Sequence, residues 1–289
     1  MAKVIALANQ KGGVGKKMLA ATPFPSAGDL LVMLGLFMVV QTACSLIGLL
    51  VLLFTGRGLN DLTPNELGGY LALTSFVAMS LVTLLFLAYR RWRRAAPIEW
   101  GLRPRRFDPR LLLWGFLLMA AAGVVLEPLY ELLPALDQQV GRGLWSVVAL
   151  VVIAPLFEEF LCRGVLYGSL RTRYGSLQSM LFSALFFGIL HLQPAAVVNA
   201  FLMGLLLAWL YEETHTLWAP ILLHALNNTA AYLLLVSGLA EQSLRDLTGR
   251  GWRYTVLWIA SLGLLLVALY ALWKLRKKGS PEGKNEPGM

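Results

Sequence analysis

Charge is what this sequence has least of. Asp, Glu, Lys and Arg make up 14% of its 289 residues and 57% are hydrophobic, where a soluble domain is about a quarter charged. That scarcity excludes an ordinary water-soluble domain, because most of the chain must face lipid or other protein. Cysteine is nearly absent: Cys44 and Cys162 both sit in apolar runs, which excludes a disulfide framework and reads as core packing. The apolar runs lack a period-two alternation, so a membrane barrel is excluded and helices remain. No G-x-S-x-G occurs, so a serine nucleophile has no support. No H-E-x-x-H occurs either.

What is present is a series of Leu/Val/Ala-rich runs long enough to span a bilayer, roughly 17–25 residues each. Eight are read, at about 29–54, 68–89, 110–126, 144–166, 176–192, 195–211, 217–237 and 253–273. The fold class is therefore all-α: a polytopic membrane protein of about eight transmembrane helices in one bundle. The net charge of +9 could point to nucleic acid, but its placement points to topology. With the N-terminus inside, 19 of the 25 Lys and Arg fall on cytoplasmic segments, five fall outside and Arg163 lies within a span. That is the positive-inside bias. It predicts both termini in the cytoplasm, a multi-pass protein of the cell (plasma or inner) membrane, and no nucleic-acid partner. No cleavable signal peptide is read. The tail, 279–289, is polar and Gly/Pro-rich and is expected to be disordered.

The first line, Val4-Ile-Ala-Leu-Ala-Asn-Gln-Lys-Gly-Gly-Val-Gly-Lys-Lys17, resembles the start of a ParA-type ATPase, a strand leading into a phosphate loop. Three features argue against ATP binding. Lys17 stands where Ser or Thr should hold Mg²⁺, Pro23 and Pro25 cut the helix that should follow, and a span begins near Asp29. Residues 1–17 are read as a ParA-like leader or fusion remnant, with Met18 a candidate start, and 18–278 as the membrane domain.

The fourth run carries Pro155-Leu-Phe-Glu-Glu-Phe-Leu-Cys-Arg-Gly164. Glu158, Glu159 and Arg163 cost about 8–10 kcal/mol to insert, and the 13 Leu, Ile, Val and Phe of 144–166 offset about 6–7 of it. Such charges face the bundle interior and pair. Glu159 and Arg163 are i and i+4, on one face, and can form an ion pair. Glu158 points about 100° away and is freer for other work. The bland reading is a structural ion pair with a spare acid. Two further intrusions weigh against it: His191 closes the fifth run, and His224 and Asn228 lie one turn apart in the seventh. His215 reads as solvated loop. A carboxylate, a His and a His/Asn pair on separate helices suit one converging site. A Glu and a His can share a water and leave a nucleophile; His224 and Asn228 carry N–H groups that could stabilise an oxyanion. Glu with two His could instead bind Zn²⁺, and spacing does not separate these mechanisms.

These segments resemble the CPBP (ABI) family of intramembrane proteases, whose best-known member is the CAAX prenyl endopeptidase. The family pattern is E-E-x-x-x-R, F-x-x-x-H, then H-x-x-x-N or D. Here it is met by Glu158-Glu159-Phe-Leu-Cys-Arg163, Phe187-Gly-Ile-Leu-His191 and His224-Ala-Leu-Asn-Asn228. The resemblance covers roughly 140–240. It implies an eight-helix bundle and a glutamate protease. In it Glu158 with His191 would activate water, His224 and Asn228 would stabilise the oxyanion, and Glu159 and Arg163 would be the supporting pair. It also implies a membrane-anchored protein or peptide as substrate: a prenylated C-terminal peptide, a bacteriocin-like peptide or, as in the myxosortase branch, a sorting tail. No cofactor is expected; metal-free catalysis is favoured over Zn²⁺. The rival classes are a non-enzymatic scaffold or peptide-binding immunity protein, and a proton-coupled transporter, against which the lack of an evident inverted repeat speaks. One expectation conflicts with the rest. On this topology His191 lies near the outer end of its span and His224 about 10 Å from the inner end, so a shared site needs a tilt, a kink or a shifted boundary.

Overall fold

A computed structural model describes residues 24–134, 141–249 and 251–279. The leader read over 1–17, and all of the 279–289 tail but its first residue, lie outside them. The described residues form helices and no strands: α1 Ala27–Phe54, α2 Pro64–Trp92, α3 Arg110–Tyr130, α4 Leu144–Arg171, α5 Ser176–Ile189, α6 Pro194–Thr214, α7 Trp218–Val236, a short α8 Leu244–Thr248, and α9 Trp252–Gly279. Each of the eight apolar runs has its helix. Seven are long and apolar enough to cross a membrane, while α5 has only 14 residues, about 21 Å at the usual rise against a hydrocarbon core of about 30 Å.

Local chemistry fixes the ends. Ser26 caps α1 and Asp29 returns the bond to its backbone; Thr63 and Glu66 do the same for α2, with Pro64 in the first turn. These capping boxes satisfy N–H groups that no preceding turn can reach. Asp29 also ties α1 to α2, accepting from Tyr89 Oη at 2.7 Å and Arg93 Nε at 2.7 Å. Arg93, Arg171, Arg110 and Arg276 gather at one end of the bundle, where Arg171 pairs with Glu212 and Arg276 with Glu213.

Inside, α4 is the central element, packed against α2, α5, α6 and α7, while α9 lies along α3. Its Arg163 is the largest fully buried side chain. Lipid gives helices no hydrophobic reason to associate, so close packing of small residues does the work. Gly204 on α6 meets Ala184 on α5, and Gly188 on α5 meets the α6 backbone at Val197 and Phe201. A Cβ on Gly204 would lie 2.9 Å from Ala184 Cα, and one on Gly188 would lie 3.0 Å from Val197 O.

The segment after α2 does not loop out into solvent. Arg90, buried at the end of α2, donates to Ser169 Oγ and to Ala96 O and holds 95–103 beneath the bundle. Trp100 stacks on Phe160 at 5.7 Å between centroids. Gly101, at φ +66°, lies so close to Tyr211 that a Cβ would meet its ring at 2.6 Å, so glycine is required on both counts. Gly101 O then accepts from Leu217 N at 2.8 Å, Arg103 O from Thr216 Oγ1 at 3.1 Å, and Leu102 O from Trp218 Nε1 at 3.2 Å. The start of α7 is thereby lifted to the level of Gly164, where Leu217 packs. That is two turns, roughly 10 Å, inside the end of α4 at Arg171. A shifted boundary, together with the short α5, removes the depth conflict between His191 and His224.

The packing predicts an asymmetry among glycines. Gly204→Ala should destabilise the protein by about 1–3 kcal/mol, because α5 and α6 must move apart. Gly123→Ala, where nothing lies within 4 Å of the new carbon, should stay within about 0.5 kcal/mol of the parent. Thermal unfolding of the two purified variants in one detergent checks the contrast.

Candidate active site

The site is built on an irregular stretch of α4. Val148–Ile153 and Phe160–Tyr167 are π-helical, and the intervening α-turn, Ala154–Glu159, carries both glutamates. Wide turns of this kind often mark functional positions. Glu159 and Arg163 are both 0% exposed and paired, Arg163 Nη1 donating to Glu159 Oε1 at 2.9 Å. Arg163 Nη2 donates to Gly204 O at 2.9 Å. The guanidinium carbon lies 4.5 Å from the centre of the Phe187 ring. A buried charge pair is tolerable only with such supplementary partners.

His224 completes this group from α7. Its Nδ1 lies 2.9 Å from the same Glu159 Oε1 that Arg163 uses. A carboxylate oxygen only accepts, so Nδ1 carries the hydrogen and, in the neutral ring, Nε2 presents a lone pair. That Nε2 faces Glu158 Oε2 at 3.9 Å. The separation is too long for a direct hydrogen bond and near the roughly 4–5 Å that one water bonded to both would bridge. Glu158 is 21% exposed, so of the two adjacent acids one is sealed and the other reachable. The 100° offset read from the sequence is what separates them.

His191 follows the last turn of α5. Its Nδ1 donates to Phe187 O at 2.9 Å, so its Nε2 is also left as the lone-pair nitrogen. Phe187 neighbours both imidazoles, 5.0 Å from the His191 ring and 5.6 Å from the His224 ring. Contact with one aromatic ring puts the two histidines in one neighbourhood. Asn228 is one turn beyond His224, and its Nδ2 donates to Leu150 O on α4 at 2.8 Å. His215 is exposed in a left-handed cap after α6, as a solvated loop residue should be.

Three participants escaped sequence reasoning. Phe187 was visible as part of a motif, but not as the ring against both histidines and under Arg163. The Leu150 carbonyl carries no residue-type signal; the nearby Pro155 is the clue that backbone groups are free there. The 95–103 segment gave no residue-type signal, because its contacts are made mostly by carbonyls. Among the described residues, no three His, Cys, Asp or Glu side chains are grouped to hold a metal ion. A cavity of about 640 Å³ at the basic end is lined by Arg106, Arg110, Glu213, His215 and Arg276 and contains none of Glu158, Glu159, Arg163, His191, His224 and Asn228.

The geometry predicts that Arg163→Met is strongly destabilising. It leaves Glu159 buried without its cation, and unfolding free energy should fall by about 3–5 kcal/mol. The double variant Arg163→Met/Glu159→Gln should recover much of that loss. Urea or thermal unfolding in detergent reads both.

Residues 140–230, which contain all these side chains, match the family model described as Type II CAAX prenyl endopeptidase Rce1-like. The "Putative membrane peptidase YdiL" of Bacillus subtilis (strain 168) is 27% identical over 88 residues, 30% of this chain and 36% of that protein. The "Uncharacterized 24.3 kDa protein" of Escherichia coli is 27% identical over 175 residues, 57% of this chain and 80% of that one. No solved structure matches. The chain is a multi-pass membrane protein whose residues 140–230 are similar to the Rce1-like CAAX prenyl endopeptidases, a family of proteases.

Proposed function

We propose that this protein is an intramembrane endopeptidase that hydrolyses a peptide bond in a membrane-anchored or C-terminal-tail substrate. The observation that carries the reading is the reachable Glu158 carboxylate 3.9 Å from His224 Nε2, against a sealed Glu159–Arg163 pair that holds His224 in one tautomer. In this reading a water lies between Glu158 and an imidazole Nε2, that of His224 or His191. Glu158 takes one of its protons as the oxygen attacks the scissile carbonyl carbon, and later passes that proton to the leaving amine. When His224 also carries a proton on Nε2, that N–H can donate to the oxyanion. Asn228 has a second amide hydrogen available for the same purpose. Glu159 and Arg163 orient His224 and do not touch the reacting atoms.

The reading is metal-free, with the Glu158–water–imidazole group supplying the base. The basic end of the bundle, rich in Arg, is assigned to the cytoplasm by the positive-inside bias, with both termini there and the protein in the cell membrane. A substrate whose scissile bond lies near a lipid anchor or beside a hydrophobic tail would reach a site about three turns inside that face. A prenylated C-terminal peptide and a hydrophobic sorting tail both fit that description.

Cleavage in nanodiscs tests the reading with two probes, a farnesylated C-terminal peptide and an unprenylated tail-anchored peptide. The parent should cut at least one of them. Glu158→Gln should lower kcat by about 10²–10⁴-fold, the range for a lost general base, with an unchanged melting temperature. His191→Ala and His224→Ala should also lose cleavage, and a chelator should leave the parent rate intact. Full activity in Glu158→Gln would overturn the mechanism. Peptide binding without cleavage would favour a scaffold, and proton-coupled flux in liposomes a transporter.

A further inference from the structure

We infer that Asn228 is a positioning residue: its side-chain amide takes the place of the backbone N–H that Pro155 lacks, and so fixes the turn of α4 that carries Glu158. The backbone around Pro155 shows the missing bond. Ala154 N–H donates to Ala149 O, five residues back, in the π-helical register. The next bond in that register would run from residue 155 to Leu150 O. Residue 155 is a buried proline, which has no N–H. Leu150 O instead accepts from Asn228 Nδ2 at 2.8 Å. A carbonyl inside a membrane helix with no donor is costly, since no bulk water can replace the bond.

The two contacts of α7 then act together. His224 holds Glu159 at the end of the Ala154–Glu159 turn, and Asn228 holds the carbonyl that precedes it. Between these points the only residues are those of the π-to-α junction and Glu158 itself. Without the Asn228 bond, α4 can recover its hydrogen bonds only by changing register, which rotates Glu158 relative to His224 Nε2. The inference differs from an oxyanion role. One of the two amide hydrogens of Asn228 is committed to backbone, and the residue acts through the helix that bears the acid.

A rescue experiment separates the roles. If the amide substitutes for a missing N–H, then supplying that N–H should make Asn228 dispensable. The variants are Asn228→Ala, Pro155→Ala and the double variant, each as full chain in detergent. Hydrogen exchange of peptides spanning 148–162 gives a readout that needs no substrate. Asn228→Ala should speed exchange there by about tenfold or more, the scale of one unmet buried hydrogen bond. The double variant should return to within about threefold of Pro155→Ala alone. Equal acceleration by Asn228→Ala in both backgrounds would overturn the inference, because the amide would then not act through Leu150 O. If Pro155→Ala fails to fold, Asn228→Ala against the parent still decides: unchanged exchange over 148–162 sinks it. The cleavage arm rests on the proposed function and is read separately. Rescue of rate by Pro155→Ala supports positioning, while loss of rate in both backgrounds with restored exchange assigns Asn228 to the oxyanion instead.

Discussion

One carboxylate oxygen organises this site. Glu159 Oε1 accepts from Arg163 on its own helix and from His224 on α7, each at 2.9 Å, in a place with no exposure to solvent. The three groups are individually expensive in a membrane. Together they cancel most of each other's charge and fix three side chains in one geometry. Everything reachable is arranged around that sealed core. Glu158 projects to its side because it is the next residue on the turn. His224 presents Nε2 because its Nδ1 is committed to Glu159, and Phe187 is wedged among Arg163, His191 and His224 by its contacts to all three.

The rest of the bundle is shaped to let that oxygen be reached from two helices. Gly204 has no side chain to meet Ala184, so α5 and α6 pack closely, and its carbonyl takes the second guanidinium bond. The 95–103 segment raises the start of α7, which brings His224 level with Glu159. The π-helical stretches of α4 change which way its faces point on either side of the acidic turn. None of these devices is itself one of the polar side chains of the site. Each places one, and each depends on backbone geometry that small residues or a proline permit.

Much of this was legible in the sequence because the membrane makes polar residues conspicuous. Glu158, Glu159, Arg163, His191, His224 and Asn228 stood out against apolar runs, and the i, i+4 spacing of Glu159 and Arg163 gave their pairing directly. Helix existence was equally legible, since apolar length is a strong signal. What was not legible was carried by backbone atoms. The union of His224 with Glu159 is a contact between distant segments, and spacing within one helix says nothing of it. The level at which α7 begins is set by carbonyls of Gly101, Leu102 and Arg103, which look like any loop. The shortness of α5 was hidden because its apolar run continues past His191, where the chain turns at Leu192 with φ +59°.

The union of α4 and α7 through Glu159 is the claim on which the account stands. A double-mutant cycle on thermal unfolding, using Glu159→Gln, His224→Gln and the double variant, measures it directly. Contact between the two side chains predicts a coupling energy of about 0.5–3 kcal/mol. Strictly additive effects would mean that the residues do not meet, and would contradict the site described.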